Sequence, residues 1–214
     1  MEFISKELSI YCESHTSAES EELNALNRET HAKILMPRML SGHLQGRFLA
    51  MISHMLKPKR ILEIGTFTGY SAICLAEGLA SDGELITIDN NEELRTIAHN
   101  YAKKAGFENK IRFITGNASN EIEKLDALFD LVFIDADKSN YAIYFDMVID
   151  KVKQGGIIIA DNVLWSGKVV AHQSEKTDKD TAALMAFNRQ VQLDNRVENV
   201  LLPIRDGLMM IRKL

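Results

Sequence analysis

Arg60-Ile-Leu-Glu63-Ile-Gly65-Thr66-Phe-Thr-Gly69-Tyr-Ser71 reads as a short apolar strand that runs into a turn carrying two glycines. A helical pattern follows through Ala76 and Leu79. Downstream the same grammar repeats. Glu84–Ile88 is a strand closing at Asp89, with a helix from about Asn91 to Ala105; Ile111–Thr115, Leu131–Asp135 and Gly156–Asp161 are further strands, most of them separated by helical patterns. Strands alternating with helices imply parallel pairing through right-handed crossovers, with helices on both faces. Val197–Leu202 and Leu208–Ile211 flank a Pro203–Gly207 turn and predict a closing antiparallel hairpin. Upstream, Ile4, Leu8 and Tyr11, then Leu23, Leu26 and Ile34, then Leu44, Phe48, Met51 and Met55 keep helical spacing. Thr16 and Glu19 fit a capping box opening the second of these helices, with Glu19, Glu21 and Glu22 in a solvated first turn. Pro58 marks the boundary. The prediction is a doubly wound α/β fold of seven strands, residues 58–214, preceded by a helical cap, residues 1–57, that is not an independent domain.

The bulk numbers narrow the partners. Of 214 residues, 46% are hydrophobic and 26% charged, and the net charge of −5 contains no basic block, so neither nucleic acid nor a membrane surface is expected. Cys12 and Cys74 are too few for a disulfide framework, and Cys74 between Ile73 and Leu75 reads as a buried thiol. The opening Met-Glu-Phe-Ile-Ser-Lys has no signal pattern, and runs such as Ile157–Ala160 are too short to span a bilayer. A reducing cytoplasm is the expected compartment. No internal repeat or low-complexity stretch interrupts the chain.

In doubly wound sheets, ligands bind beyond the carboxyl ends of the strands. Gly65 and Gly69 there allow a tight turn and close backbone approach. Their G-x-x-x-G spacing is not the G-x-G-x-x-G that seats a dinucleotide pyrophosphate, which argues against NAD. S-adenosylmethionine carries no phosphate, and its amino-acid end needs neutral and acidic polar partners. Asp89, about twenty residues beyond the turn, can accept from both hydroxyls of an adenosine ribose, or else cap the next helix.

Two more strands end in acidic residues, Phe133-Ile-Asp135-Ala-Asp137-Lys138 and Ile159-Ala-Asp161-Asn162. If those strands are neighbours, Asp135, Asp161 and Asn162 converge as three hard oxygen donors, a set suited to Mg²⁺ (or Mn²⁺ or Ca²⁺) with positions left for substrate. The six histidines are scattered and form no ligand pair. Lys138, beside such a dication, has its ammonium disfavoured by like charge and becomes a candidate general base.

On these residues the chain resembles the cation-dependent class I O-methyltransferases, the family of catechol O-methyltransferase and the plant caffeoyl-CoA O-methyltransferases, from about Met39 to Leu214. The glycine loop, Phe-Ile-Asp135-Ala-Asp137-Lys138-Ser-Asn-Tyr141, Asp161-Asn162-Val-Leu-Trp165-Ser-Gly167 and Leu-Pro203-Ile-Arg-Asp206-Gly207 carry the resemblance. It implies a Rossmann-like, mostly parallel sheet. It also implies that Ser41, Glu63, Gly65, Thr66, Ser71, Asp89, Ala118 and Asp135 contact S-adenosylmethionine, and that Met39, Asp137, Trp165 and Ser166 face the acceptor. The acceptor implied is a small catechol-type phenol; Asp135 touches metal and acceptor, and Lys138 takes the proton of the reacting hydroxyl. A homodimer is expected from the resemblance and from the apolar-faced cap.

The chain also departs from the plant enzymes. Ser166 stands where they have Asn, Lys179 and Asp180 replace tyrosines, and the stretch with their CoA-contacting lysine is missing, which predicts free catechols over a CoA thioester. Met39–His43 and Trp165–His172 are expected to wall the pocket, leading into a mobile polar run, Gln173–Asp180. The alternative is a metal-independent S-adenosylmethionine methyltransferase acting on another acceptor, which shares Asp89 and the glycine loop but needs no three-oxygen site.

Overall fold

The computed structural model describes residues 4–170 and 177–214. Helices α1 (Lys6–Ser14), α2 (Glu21–Lys33) and α3 (Gly42–Leu56) come first. They are followed by β1 (Arg60–Ile64), α4 (Tyr70–Ala76), β2 (Glu84–Asp89), α5 (Glu92–Lys104), β3 (Ile111–Thr115), α6 (Ala118–Lys124), β4 (Phe129–Ile134), α7 (Tyr141–Ile149) and β5 (Val152–Asp161). The chain closes with α8 (Lys179–Leu193), β6 (Val197–Leu202) and β7 (Leu208–Lys213). Helix starts carry side-chain acceptors that satisfy free N–H groups: Asn91 accepts from Glu93, Asn117 from Asn120, and Asp178 from Thr181.

The seven strands are ordered β3-β2-β1-β4-β5-β7-β6. β1 to β5 pair in parallel, while β7 runs antiparallel to both β5 and β6. The expected Rossmann-like sheet with its antiparallel hairpin and N-terminal helical cap is thus the observed one. The strand order reverses between β1 and β4, so their carboxyl ends open the crevice where such sheets bind ligands.

The central strands β1, β2 and β4 are buried on both faces along most of their length, which is why their sequences are mostly apolar, whereas the edge strand β3 exposes Arg112 and Thr115. One face, with Leu62, Ile64, Val132 and Ile134, packs on α7 and α8, where the Tyr141 and Phe187 rings meet edge-on at 5.6 Å. The opposite face, with Ile61, Leu85, Leu131 and Phe133, packs on α4 and on Leu23, Leu26 and Leu49 of the N-terminal helices.

Two local expectations need correction. The cap of α2 is Ser20, whose hydroxyl accepts from Leu23 N–H, and not Thr16, whose hydroxyl donates back to Cys12 O at 2.7 Å. Glu19 is not simply solvated, because it accepts from the Tyr70 hydroxyl. The apolar stripe of α1 buries nothing: Leu8 is 50% and Tyr11 60% exposed. Cys74 is fully buried, as expected, and burial pushes its thiol up to about 12. Among the described residues no helix is long and apolar enough to cross a membrane.

Candidate active site

The site is built at the carboxyl ends of β1, β2, β4 and β5. Asp135 follows Ile134 of β4, and Asp161 follows Ala160 of β5. Ile134 and Ala160 are register partners, so the two carboxylates are side by side. Asn162 comes next with a left-handed backbone, φ 59°, a conformation that Asn tolerates better than most residues. Among the described residues no group of three or more His, Cys, Asp or Glu side chains is gathered as a metal cluster. The donor set here is two carboxylates and one amide.

Asp161 is 2% exposed. Burial and the like charge of Asp135 push its carboxyl up to about 6, against the pull of Gln45, Lys138 and Arg205. Lys138 lies in a 3-10 turn, residues Lys138–Asn140, with Nζ donating to Asp135 Oδ1 at 3.0 Å and to the Tyr141 hydroxyl at 2.6 Å. Burial pulls the Lys138 pKa down, but Tyr141, Asp135 and Asp161 outweigh it and the net direction is up. Tyr141, fully buried, donates to Asp161 O at 3.0 Å and so bridges the two strand ends.

The glycine loop is fixed from several sides. Gly65 has φ +99°, and a Cβ there would lie 1.9 Å from Asp135 O, so only glycine lets the first turn pass over the β4 end. Asp89 Oδ2 accepts from the amides of Thr66 and Phe67 at 2.9 and 2.8 Å, and Oδ1 from Asn91 N–H at 2.8 Å. Asp89 therefore shapes the loop, and the cap of α5 is Asn91. With both lone pairs of Oδ2 given to the loop amides, Oδ1 keeps one for a ligand hydroxyl. Glu63 is fully buried, accepting from Ser71 at 2.6 Å and from Thr87 at 2.5 Å; burial pushes its carboxyl up to about 8. Thr66 is buried and shares a 2.5 Å hydrogen bond with Thr87.

The remaining sequence candidates are placed as follows. Ser41 is buried just ahead of α3, and its carbonyl accepts from Arg205. Ala118 opens α6 beyond β3. Met39 is 56% exposed in the turn Pro37–Met39. Asp137 is turned toward its own helix, accepting from Asn140 at 2.5 Å and from Tyr144 at 2.6 Å. Trp165 and Ser166 both have left-handed backbones, and Ser166 N–H donates to Asp206. The Trp165 indole N–H is buried with no acceptor among the described residues. His172 and residues 173–176 of the Gln173–Asp180 run fall outside the described residues; Lys179 and Asp180 open α8.

The sequence assigns no role to Thr87, Gln45, Tyr141 or Arg205, although Tyr141 and Arg205 lie within motifs that carry the resemblance. Thr87 had a signal: it is a polar residue inside an apolar strand, at the rung opposite Glu63. Gln45 and Arg205 have none, since Gln45 meets Asp161 across 116 residues and Arg205 meets Gln45 across 160.

A buried acidic loop at the switch point and paired carboxylates with a lysine are features of an enzyme that binds a small cofactor and acts on a small acceptor. The O-methyltransferase family model matches residues 13–214, and the chain belongs to that family, a class of S-adenosylmethionine-dependent enzymes. Caffeoyl-CoA O-methyltransferase from Stellaria longipes is 35% identical over 205 residues, 92% of this chain and 85% of that protein. Among solved structures, an SAH-bound methyltransferase from Podospora anserina superposes with a TM-score of 0.89 at 30% identity, covering 97% of this chain and 94% of the other. A Bacillus cereus O-methyltransferase in complex with SAH gives 0.89 at 28% identity, covering 97% of each.

Proposed function

We propose that the protein transfers a methyl group from S-adenosylmethionine to one hydroxyl of a small catechol-type phenol, with Mg²⁺, or alternatively Mn²⁺ or Ca²⁺, held by Asp135, Asp161 and Asn162. The observation that carries this reading is the pairing of two strand-end carboxylates with Lys138 Nζ 3.0 Å from one of them. The donor set fits a hard dication, whose charge two carboxylates balance. When bound, the cation supplies Lewis-acid stabilisation of the deprotonated hydroxyl and offsets the carboxylate charge that holds the Lys138 ammonium up.

The chain's own residues do the rest. Lys138 Nζ receives the hydroxyl proton, and the Tyr141 hydroxyl at 2.6 Å fixes where that nitrogen stands. Ser41, Glu63, Gly65, Thr66, Ser71, Asp89, Ala118 and Asp135 form the cofactor side; the SAH held by both structural relatives supports that assignment. Met39, Asp137, Trp165 and Ser166 form the acceptor side. Much of the acceleration comes from holding hydroxyl oxygen and methyl donor together in line. Residues 1–57 act as a cap on a methyltransferase domain of residues 58–214. The chain works in the cytoplasm as a homodimer, for which exposed Leu8, Ile10, Met51 and Met55 supply apolar surface to cover.

The test is methyl transfer to a catechol with EDTA and after Mg²⁺ is restored. Activity abolished and then recovered supports the reading. Undiminished turnover in EDTA overturns it in favour of metal-independent transfer, the alternative for which the direct Lys138–Asp135 ion pair speaks.

A further inference from the structure

Three distant segments are joined through one buried amide, that of Gln45. Gln45 of α3, fully buried, donates from Nε2 to Asp161 Oδ2 at 2.7 Å. Arg205, in the turn between β6 and β7, donates from Nη1 to Gln45 Oε1 at 3.2 Å and also to the Ser41 carbonyl. A guanidinium has donors only. The Gln45 amide must therefore give its oxygen to Arg205 and its NH₂ to Asp161, so chemistry and not just fit fixes which way the amide faces. The other Asp161 oxygen, Oδ1, accepts from Asn162 N–H at 2.7 Å. Both oxygens are thus aimed by the protein, and each keeps a lone pair to present to a ligand.

We propose that Gln45, aimed by Arg205, is a positioning residue that sets the rotation of the Asp161 carboxylate and hence the cation affinity of the site. This rests on the reading of Asp135, Asp161 and Asn162 as cation ligands. The same arginine holds the Ser41 carbonyl, so the cap, the closing hairpin and the carboxylate are fixed as one unit. Partners that orient a ligand from outside matter by about 10–100-fold in metal affinity in well-studied sites.

The experiment titrates Mn²⁺ into the full chain without cofactor or acceptor, following free Mn²⁺ by electron paramagnetic resonance. Gln45→Met keeps the side-chain length and removes both polar ends. Its Mn²⁺ Kd is expected to rise about tenfold or more, while SAH affinity and Tm stay near those of the unsubstituted protein. Gln45→Glu gives Arg205 a partner but faces Asp161 with a carboxylate, so it should not rescue. Arg205→Met, on an exposed turn, should also raise the Kd, by less. If the unsubstituted protein fails to bind Mn²⁺, the cation reading itself falls and takes this proposal with it. If that protein binds and Gln45→Met binds equally well, the cation reading stands and the positioning role is overturned. Parallel loss of SAH affinity in Gln45→Met overturns it too, by marking a general packing role. Should Gln45→Met fail to fold, Arg205→Met decides: an unchanged Kd overturns the proposal and a raised one supports it.

Discussion

Thr87 occupies the rung directly opposite Glu63 in the β1–β2 ladder, and its hydroxyl donates to Glu63 Oε2 at 2.5 Å. With Ser71 on the other oxygen, both sides of the carboxylate are bonded, yet burial still pushes the carboxyl up to about 8 from an ordinary 4.5. Between those values the folded protein holds a proton that the unfolded chain has released. The stability contributed is complete below the ordinary value and is lost as pH rises through the folded one. Glu63→Gln, which cannot ionise, should therefore melt higher than the unsubstituted apo protein at about pH 9 and close to it at about pH 5. Thermal melts across that range check this; a constant offset would mean that Glu63 does not titrate there.

Gly65 faces Asp135 O so closely that a Cβ would sit 1.9 Å away, on a backbone with φ +99°. Gly65→Ala must move either the glycine loop or the end of β4. A cost of about 2–3 kcal/mol is expected from strain and clash, equivalent to roughly 5–10 °C in Tm. Activity should fall further than stability, because the displaced backbone belongs to Asp135. Calorimetry and initial rates on the same sample test it, and a variant with unchanged Tm would show that the loop has room.

β1, β2 and β4 are legible because each is a mostly apolar run closed by glycine or an acidic residue. The sequence places the start of β5 at Gly156, but the strand begins at Val152, and its register with β4 slips between Phe129 and Leu131. Gly155 and Gly156 look like a turn in sequence, whereas here they pass through an irregular strand. In the site, Asp135 and Asp161 announced themselves as acidic strand ends, and adjacency of β4 and β5 was enough to unite them. Gln45 and Arg205 were illegible for the opposite reason, since their roles exist only through contacts between segments far apart in the chain. The stripe on α1 shows a third case. Spacing correctly gave the helix, but nothing within the described residues covers its apolar side.

Asp89 is expected to hold the cofactor ribose while also binding the Thr66 and Phe67 amides. Asp89→Ala removes both functions and should weaken SAH binding by about 2–3 kcal/mol, the scale for losing charge-assisted hydrogen bonds. Isothermal titration calorimetry reads this directly. An unchanged SAH affinity would remove Asp89 from the cofactor site.

Lys138 is held by Asp135 and Tyr141 in a mostly buried position, so replacing it should affect chemistry more than binding. Lys138→Ala is expected to lower kcat by about 10²–10⁴-fold, the usual span for a lost general base, with SAH affinity little changed. Near-normal kcat at neutral pH would show that the proton leaves by another route.

The acceptor should be a vicinal diphenol. A cation held by three protein oxygens has positions left for two substrate oxygens, and only neighbouring hydroxyls can reach them together. The curated relatives are caffeoyl-CoA O-methyltransferases, so a CoA ester is the natural competitor to test. Three residues expected near the acceptor argue against it here: Ser166, Lys179 and Asp180, which are small, polar or charged. Ser166 N–H is tied to Asp206, while Lys179 and Asp180 open α8 behind the Lys168–Asp178 ion pair at 3.0 Å. If they face the acceptor as expected, they offer it charge and small polar groups and no aromatic surface. Free caffeic acid is therefore expected to exceed caffeoyl-CoA in kcat/KM, with a monophenol control turned over poorly or not at all. Initial rates with all three acceptors at matched S-adenosylmethionine decide the matter. Better turnover of the CoA ester would overturn the substrate class, and efficient methylation of the monophenol would overturn two-oxygen chelation itself.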